Sequence, residues 1–168
     1  MSISPFTGNF TQQEAISENA IAAAIEVLRS GRLHRYNTQG NELSQAALLE
    51  QEYAAYQGSA YCLCCASGGY AMSIALHAAR IKTGEPVLTN SFTLAPVPGA
   101  IVNAGGQPVF VETTDNLVID LDDLESKIKS TGARFLLLSH MRGHIVDMDK
   151  LSIVIEANDL ILIEDCAH

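Results

Sequence analysis

Two stretches of this sequence carry groups that could hold a ligand. The first is Leu160-Ile161-Leu162-Ile163-Glu164-Asp165-Cys166-Ala167-His168. Four apolar residues in a row predict a strand buried on both faces. The run then breaks into Glu164-Asp165. In an open parallel sheet, the carboxyl ends of the strands are where ligands sit. A carboxylate leaving such a strand can face a ligand cation while its backbone stays anchored. Read alone, the same aspartate also suits the start of a solvated loop. The second stretch is Cys65-Ala66-Ser67-Gly68-Gly69-Tyr70-Ala71, where two glycines join a strand to a helix. Glycines leave backbone amides uncovered, and the first helical amides lack internal partners. Such a junction can bind phosphate. It lacks the third glycine of the dinucleotide fingerprint and has no Walker lysine, and a structural tight turn accounts for it equally well.

The elements that would position these groups follow from capping and periodicity. Residues 1–10 show no period and predict an arm. Thr11-Gln12-Gln13-Glu14 has the form of a capping box, with a helix carrying Ile21, Ile25 and Leu28 to follow, ending near Gly31. Residues 33–41 are irregular, with His34, Arg35, Tyr36 and Asn37. They read as a solvated loop, or as a substrate or subunit contact. A second helix spans about 42–57, with Leu49, Tyr53 and Tyr56 on one stripe. Residues 61–66 predict a strand, and the following helix carries Met72, Leu76 and Ala79. His77 shares a stripe with Ile74 and Ile81, which predicts a half-buried packing histidine.

From there strands and helices alternate. Strands are predicted at 86–90, 107–112 and 134–139. Helices are predicted at 95–103, after Asp120 and after Asp147. The acidic first turn and basic last turn of the Asp120 helix suit its dipole. Short connections predict parallel neighbours with right-handed crossovers. The expected fold class is α/β, a mainly parallel sheet sandwiched by helices. The expected organisation is an N-terminal arm with helices over 1–58 and a partial α/β domain over 59–168.

The 168 residues suffice for a sizeable core, and a hydrophobic fraction of 48% with 17% charged residues is globular. The net charge of −9 argues against nucleic acid or an anionic membrane as partner. It leaves room for an anionic cofactor at a helix N-terminus. Cys62, Cys64 and Cys65 sit in one apolar run whose neighbours face opposite ways, so no metal site is expected from them. Nothing suggests a disulfide framework, a signal peptide or a membrane span, which predicts a cytoplasmic protein.

A series of motifs adds a resemblance. Ser67-Gly68-Gly69 is followed by Thr89-Asn90-Ser91-Phe92-Thr93, then Gly105-Gly106-Gln107-Pro108-Val109-Phe110-Val111, then Ile119-Asp120. Ser139-His140-Met141-Arg142-Gly143 with Asp147-Met148, and Ile163-Glu164-Asp165-Cys166-Ala167-His168, complete it. In that order and spacing the series resembles the DegT/StrS-type pyridoxal-phosphate (PLP)-dependent sugar aminotransferases, which share the large-domain fold of aspartate aminotransferase. Ser30-Gly31-Arg32-Leu33 and Glu52-Tyr53-Ala54-Ala55-Tyr56-Gln57-Gly58 fit as well.

The resemblance implies an enzyme that moves an amino group, from glutamate or glutamine, to a keto group, often of a nucleotide-linked sugar. It implies PLP as cofactor and a homodimer. Asp165 would pair with the pyridinium nitrogen, keeping the ring an electron sink. Ser67, Gly68 and Gly69 would form the phosphate turn. His168 stands at the family's position contacting the ring hydroxyl, and Leu94 at the position covering the ring. Three departures accompany it. Gly69 replaces a threonine whose hydroxyl binds the phosphate, and Leu94 replaces a stacked aromatic. The family's Schiff-base lysine, a phosphate-binding serine and the small domain lie beyond residue 168. Lys82, Lys127, Lys129 and Lys150 match none of these positions, so no catalytic residue is assigned. The expectation is the N-terminal portion of such an enzyme, inactive alone, with a complementing C-terminal polypeptide as a conceivable partner. The alternatives are a non-catalytic ligand-binding or assembly module of the same fold, and a nucleotide-binding domain using the glycine turn.

Overall fold

A computed structural model describes residues 7–9 and 11–168. The arm expected over 1–10 falls largely outside the described residues. The chain divides into two compact units, Met1–Cys64 and Cys65–His168.

The first unit carries two helices. Helix α1 spans Glu18–Ser30, capped by the Ser17 hydroxyl on the Ala20 amide and closed by Gly31 at φ 68°. The capping box expected at Thr11 is therefore not the start of the helix. The amide and hydroxyl of Thr11 both donate to Asn9 Oδ1, at 2.9 and 2.7 Å. Thr11 thus closes a local turn, and Ser17 takes the capping role. Helix α2 spans Gln45–Gln57, with Ser44 as cap and Gly58 in the left-handed conformation at its end. It starts three residues later than expected because Ser44 accepts the Ala47 amide. Glu42 pairs instead with Arg32. Neither helix has a buried residue. Leu28, Leu49, Tyr53 and Tyr56 all stand exposed.

Between the helices, Arg35 forks onto both oxygens of Glu50, at 3.0 and 2.8 Å. Glu50 Oε1 also accepts the Cys64 amide at 2.9 Å. These contacts hold the Glu50 carboxyl below its usual range, the Arg35 bond first and the Cys64 amide second. They also bear on a correction: residues 61–66 form no strand. The Cys64 amide, which a sheet would pair with a neighbouring carbonyl, is taken by a carboxylate. The apolar run scored as a strand on composition, but a strand also needs a ladder partner.

The second unit is a three-layer α/β arrangement, as the alternation predicts. Strands β1 (Pro86–Asn90), β2 (Gln107–Val111), β3 (Phe135–Ser139) and β4 (Ile161–Asp165) form one sheet in the order β2-β1-β3-β4, every pair parallel. Helices α3 (Gly68–Ala78), α4 (Pro96–Asn103), α5 (Leu121–Thr131) and α6 (Met148–Asn158) connect and cover it. Strand β3 shows why. Its alternate side chains face opposite ways. Leu136 and Leu138 join Leu124, Ile128, Leu151 and Val154 of α5 and α6. Phe135 and Leu137 join Met72, Leu76, Val97 and Ile101 of α3 and α4. The cap at Asp120 accepts the Asp122 and Asp123 amides, and Gly132 ends α5 at φ 66°, both as the sequence predicts. Gly106 answers a close approach, since a Cβ there would lie 2.6 Å from Ile81 Cδ1 and 3.3 Å from the Glu85 carbonyl.

Two burial expectations are corrected. Strand β4 is only half-buried, because among the described residues it lies at the sheet's edge and pairs with β3 alone. His77 is exposed. It sits in the last turn of α3, whose inward stripe is Met72, Ser73 and Leu76.

Candidate functional site

The sheet's strand order creates the site. From β1 the chain moves one way to β2, then crosses back beyond β1 to β3 and on to β4. The two directions part between β1 and β3, and a crevice opens outside the carboxyl ends of the strands at such a switch point. Asn90, Ser139 and Asp165 end β1, β3 and β4.

These three residues are joined. Asn90 Nδ2 donates to the Ser139 carbonyl at 3.1 Å, and the Ser139 amide donates to Asn90 Oδ1 at 2.9 Å. Asn90 Nδ2 also reaches the Phe92 carbonyl at 2.8 Å. The Ser139 hydroxyl donates to Asp165 Oδ2 at 2.9 Å. The His140 amide donates to the Asp165 carbonyl at 3.0 Å. The Ala167 amide lies 3.3 Å from Asp165 Oδ1. Asp165 is thus half-buried and oriented from both sides, not the opening of a solvated loop. A carboxylate has about four lone-pair sites, so one more donor can still be accepted.

The glycine turn lies at the same edge. Ser67 caps α3 by accepting the Tyr70 amide at 3.2 Å. Gly68 and Gly69 open the helix, and neither amide has an acceptor among the described residues. Helix α3 leads into the amino end of β1, so its own start faces the carboxyl edge. A Cβ at Gly69 would stand 3.9 Å from Cβ of Pro96, the first residue of α4, the helix that follows β1. A Cβ at Gly68 would meet nothing within 4 Å. Helix α3 also packs against β4, and Ser73 fixes it to α4 through the Ala100 carbonyl at 3.1 Å.

Leu94, in the β1–α4 connection, is 47% exposed at this edge. Beside it Thr93 keeps a buried hydroxyl with no partner among the described residues. His168 is exposed and joins no hydrogen bond among those described. The fold therefore brings Ser67, Gly68, Gly69, Leu94 and Asp165 to one edge, and the exposed His168 follows β4 there.

Side chains of opposite parity on β4 face the other way. His140 Nε2 and Glu164 Oε2 lie 2.8 Å apart, and Cys166 Sγ is within 4.8 Å of both. Two ligands of one tetrahedral zinc stand roughly 3.3 Å apart, given zinc–ligand distances near 2 Å. The 2.8 Å separation is instead that of a hydrogen bond, which satisfies the buried imidazole. Burial first, then Glu164 and Asp165, push the Cys166 thiol above its usual range.

Asn90 and Ser139 carry no role in the sequence reading. Their signal is the one that marks Asp165: a polar residue closing an apolar strand.

Solved aminotransferase structures overlay on this all-parallel sheet and its covering helices. The profile of the DegT/DnrJ/EryC1/StrS aminotransferase family matches residues 14–168, and the chain belongs to that family. S. venezuelae DesV is 30% identical with a TM-score of 0.77, over 89% of this chain and 38% of DesV. The PLP form of the putative sugar aminotransferase Spr1654 from Streptococcus pneumoniae shares the fold, with a TM-score of 0.79 at 24% identity over 92% of this chain and 41% of that one. Among curated proteins, the dTDP-3-amino-3,4,6-trideoxy-alpha-D-glucose transaminase of Micromonospora megalomicea subsp. nigra is 34% identical over 71% of this chain and 32% of its own length. The chain spans 40%, 32% and 28% of three curated relatives it matches.

Proposed function

We propose that residues 65–168 form part of the PLP site of an aminotransferase that moves an amino group from glutamate or glutamine to a keto group, often of a nucleotide-linked sugar. One observation carries this reading: Asp165, held by Ser139, stands at the same sheet edge as the open amides of Gly68 and Gly69. When bound, the cofactor supplies an electron sink for the carbon that loses or gains nitrogen. This chain's part is to hold it. The amides of Gly68 and Gly69 would hold the phosphate, with Ser67 fixing the turn. Asp165 would accept a hydrogen bond from the protonated ring nitrogen. Leu94 would give the ring apolar cover, and His168 would contact the ring hydroxyl.

The chain's lysines stand elsewhere. Lys127, Lys129 and Lys150 pair with Asp123, Glu125 and Asp147 on α5 and α6. Lys82 lies in the turn entering β1, at the opposite edge. Held this way, the chain binds PLP without a covalent bond and does not transaminate by itself. A polypeptide segment bearing the Schiff-base lysine would complete the site, and a homodimer is the expected assembly.

Absorbance titration with PLP, followed by borohydride reduction and mass analysis, tests this. The expected result is saturable binding with no mass added at a lysine, abolished by Asp165→Asn together with Gly68→Asp. A reduced adduct on one of the four lysines would overturn the non-covalent reading. Saturable binding with no transamination after a lysine-bearing partner is supplied would favour a ligand-binding module instead. Gly69 and the exposed Leu94 are the residues that favour this alternative.

A further inference from the structure

The geometry points to Ser139 as a positioning residue that fixes the Asp165 carboxylate for a ring nitrogen, with Asn90 fixing Ser139 in turn. This rests on the PLP reading above and deepens it.

Asp165 ends β4, which among the described residues is an edge strand paired with β3 alone. A side chain leaving such a strand has rotamers to choose from. The Ser139 hydroxyl, 2.9 Å from Oδ2, selects one of them. Ser139 itself is 4% exposed. Its placement does not depend on its side chain, because Asn90 takes its amide and carbonyl together. Asn90 is 2% exposed and lies across the switch point on β1. The carboxylate's aim is therefore set through two strands, from the middle of the sheet outward to its edge. Among the described residues each oxygen takes one donor, the Ser139 hydroxyl on Oδ2 and the Ala167 amide at 3.3 Å on Oδ1, so the carboxylate keeps lone pairs for a ligand cation.

Because Asn90 grips backbone atoms, Ser139→Ala removes the hydroxyl and leaves that grip in place. The test compares binding of PLP with its carbon analogue, in which C–H replaces the ring nitrogen, to the full 168-residue chain. Wild type is expected to prefer PLP, and Asp165→Asn to lose that preference. Ser139→Ala is expected to lower PLP affinity roughly tenfold, as for one hydrogen bond to a charged group, with the analogue's affinity unchanged. Ser139→Thr, which keeps the hydroxyl, is expected to restore the preference. Equal loss of both ligands in Ser139→Ala would show that Ser139 only supports the fold, and retention of the full preference would show that it does not act on Asp165. Either result overturns the inference while leaving the PLP reading intact. Absence of any preference in wild type would instead overturn the PLP reading itself, and this inference with it.

Discussion

Gly69 shows how a single residue can be legible in type and ambiguous in purpose. It marks a strand-to-helix junction in the sequence, yet its φ is not positive. The backbone therefore does not require glycine there. A Cβ would meet only Pro96, at an ordinary contact distance of 3.9 Å. Gly69→Thr should accordingly be accommodated and should raise helix propensity in the first turn of α3. Its hydroxyl would give the bound phosphate a further donor, worth about 1.5–3 kcal/mol. Isothermal titration with PLP should show affinity at least roughly tenfold tighter, and unchanged affinity would place the phosphate elsewhere. His168 is the opposite case. Its type suits a ring contact, but no hydrogen bond among the described residues fixes it.

At the scale of elements, the sequence is most informative where one residue stops a helix or alternates a strand's faces. Asp120, Asp147 and Gly132 act as expected. The strand expected at 61–66 fails, since pairing is not written into a single segment. Connections between elements also set the response to acid. Glu85, entering β1, accepts the Lys82 amide at 2.9 Å and the Arg134 guanidinium at 2.8 Å, which ties β1 to the start of β3. The Lys82 amide above all, with Arg134 adding to it against the opposing effect of burial, holds the Glu85 carboxyl below its ordinary value of 4.5. A lowered folded pKa gives stability that is present above the unfolded value and lost as pH falls through the folded one. Denaturant melts below pH 4.5 should therefore weaken progressively in wild type. Glu85→Gln should be less stable at pH 7 and show a shallower acid dependence. An identical slope in both proteins would remove Glu85 from the account.

For the molecule as a whole, the two units differ in kind. Residues 65–168 bury two apolar clusters on opposite faces of one sheet. The helices of residues 1–64 bury no residue, and Leu28, Leu33, Tyr36, Leu49, Tyr56 and Tyr61 stand exposed. Apolar surface on that scale commonly marks an interaction face. A second copy of the chain should cover it. Sedimentation velocity at micromolar concentration should give a dimer, and Tyr56→Glu with Leu49→Glu should shift it toward monomer. A wild-type monomer that binds no hydrophobic dye would contradict this.

Much of the fold was determined by sequence alone, because alternating apolar runs, caps and terminators are local signals. The same signals flagged Asp165 and the Ser67-Gly68-Gly69 turn, each as one polar or flexible break in an apolar pattern. Only the tertiary structure decided that the two share an edge, since that depends on strand order, which no segment contains. It also decided that Asn90 and Ser139 aim the carboxylate. Those bonds join residues 49 and 26 positions apart, and a hydrogen bond at that separation exists only once β1, β3 and β4 lie side by side.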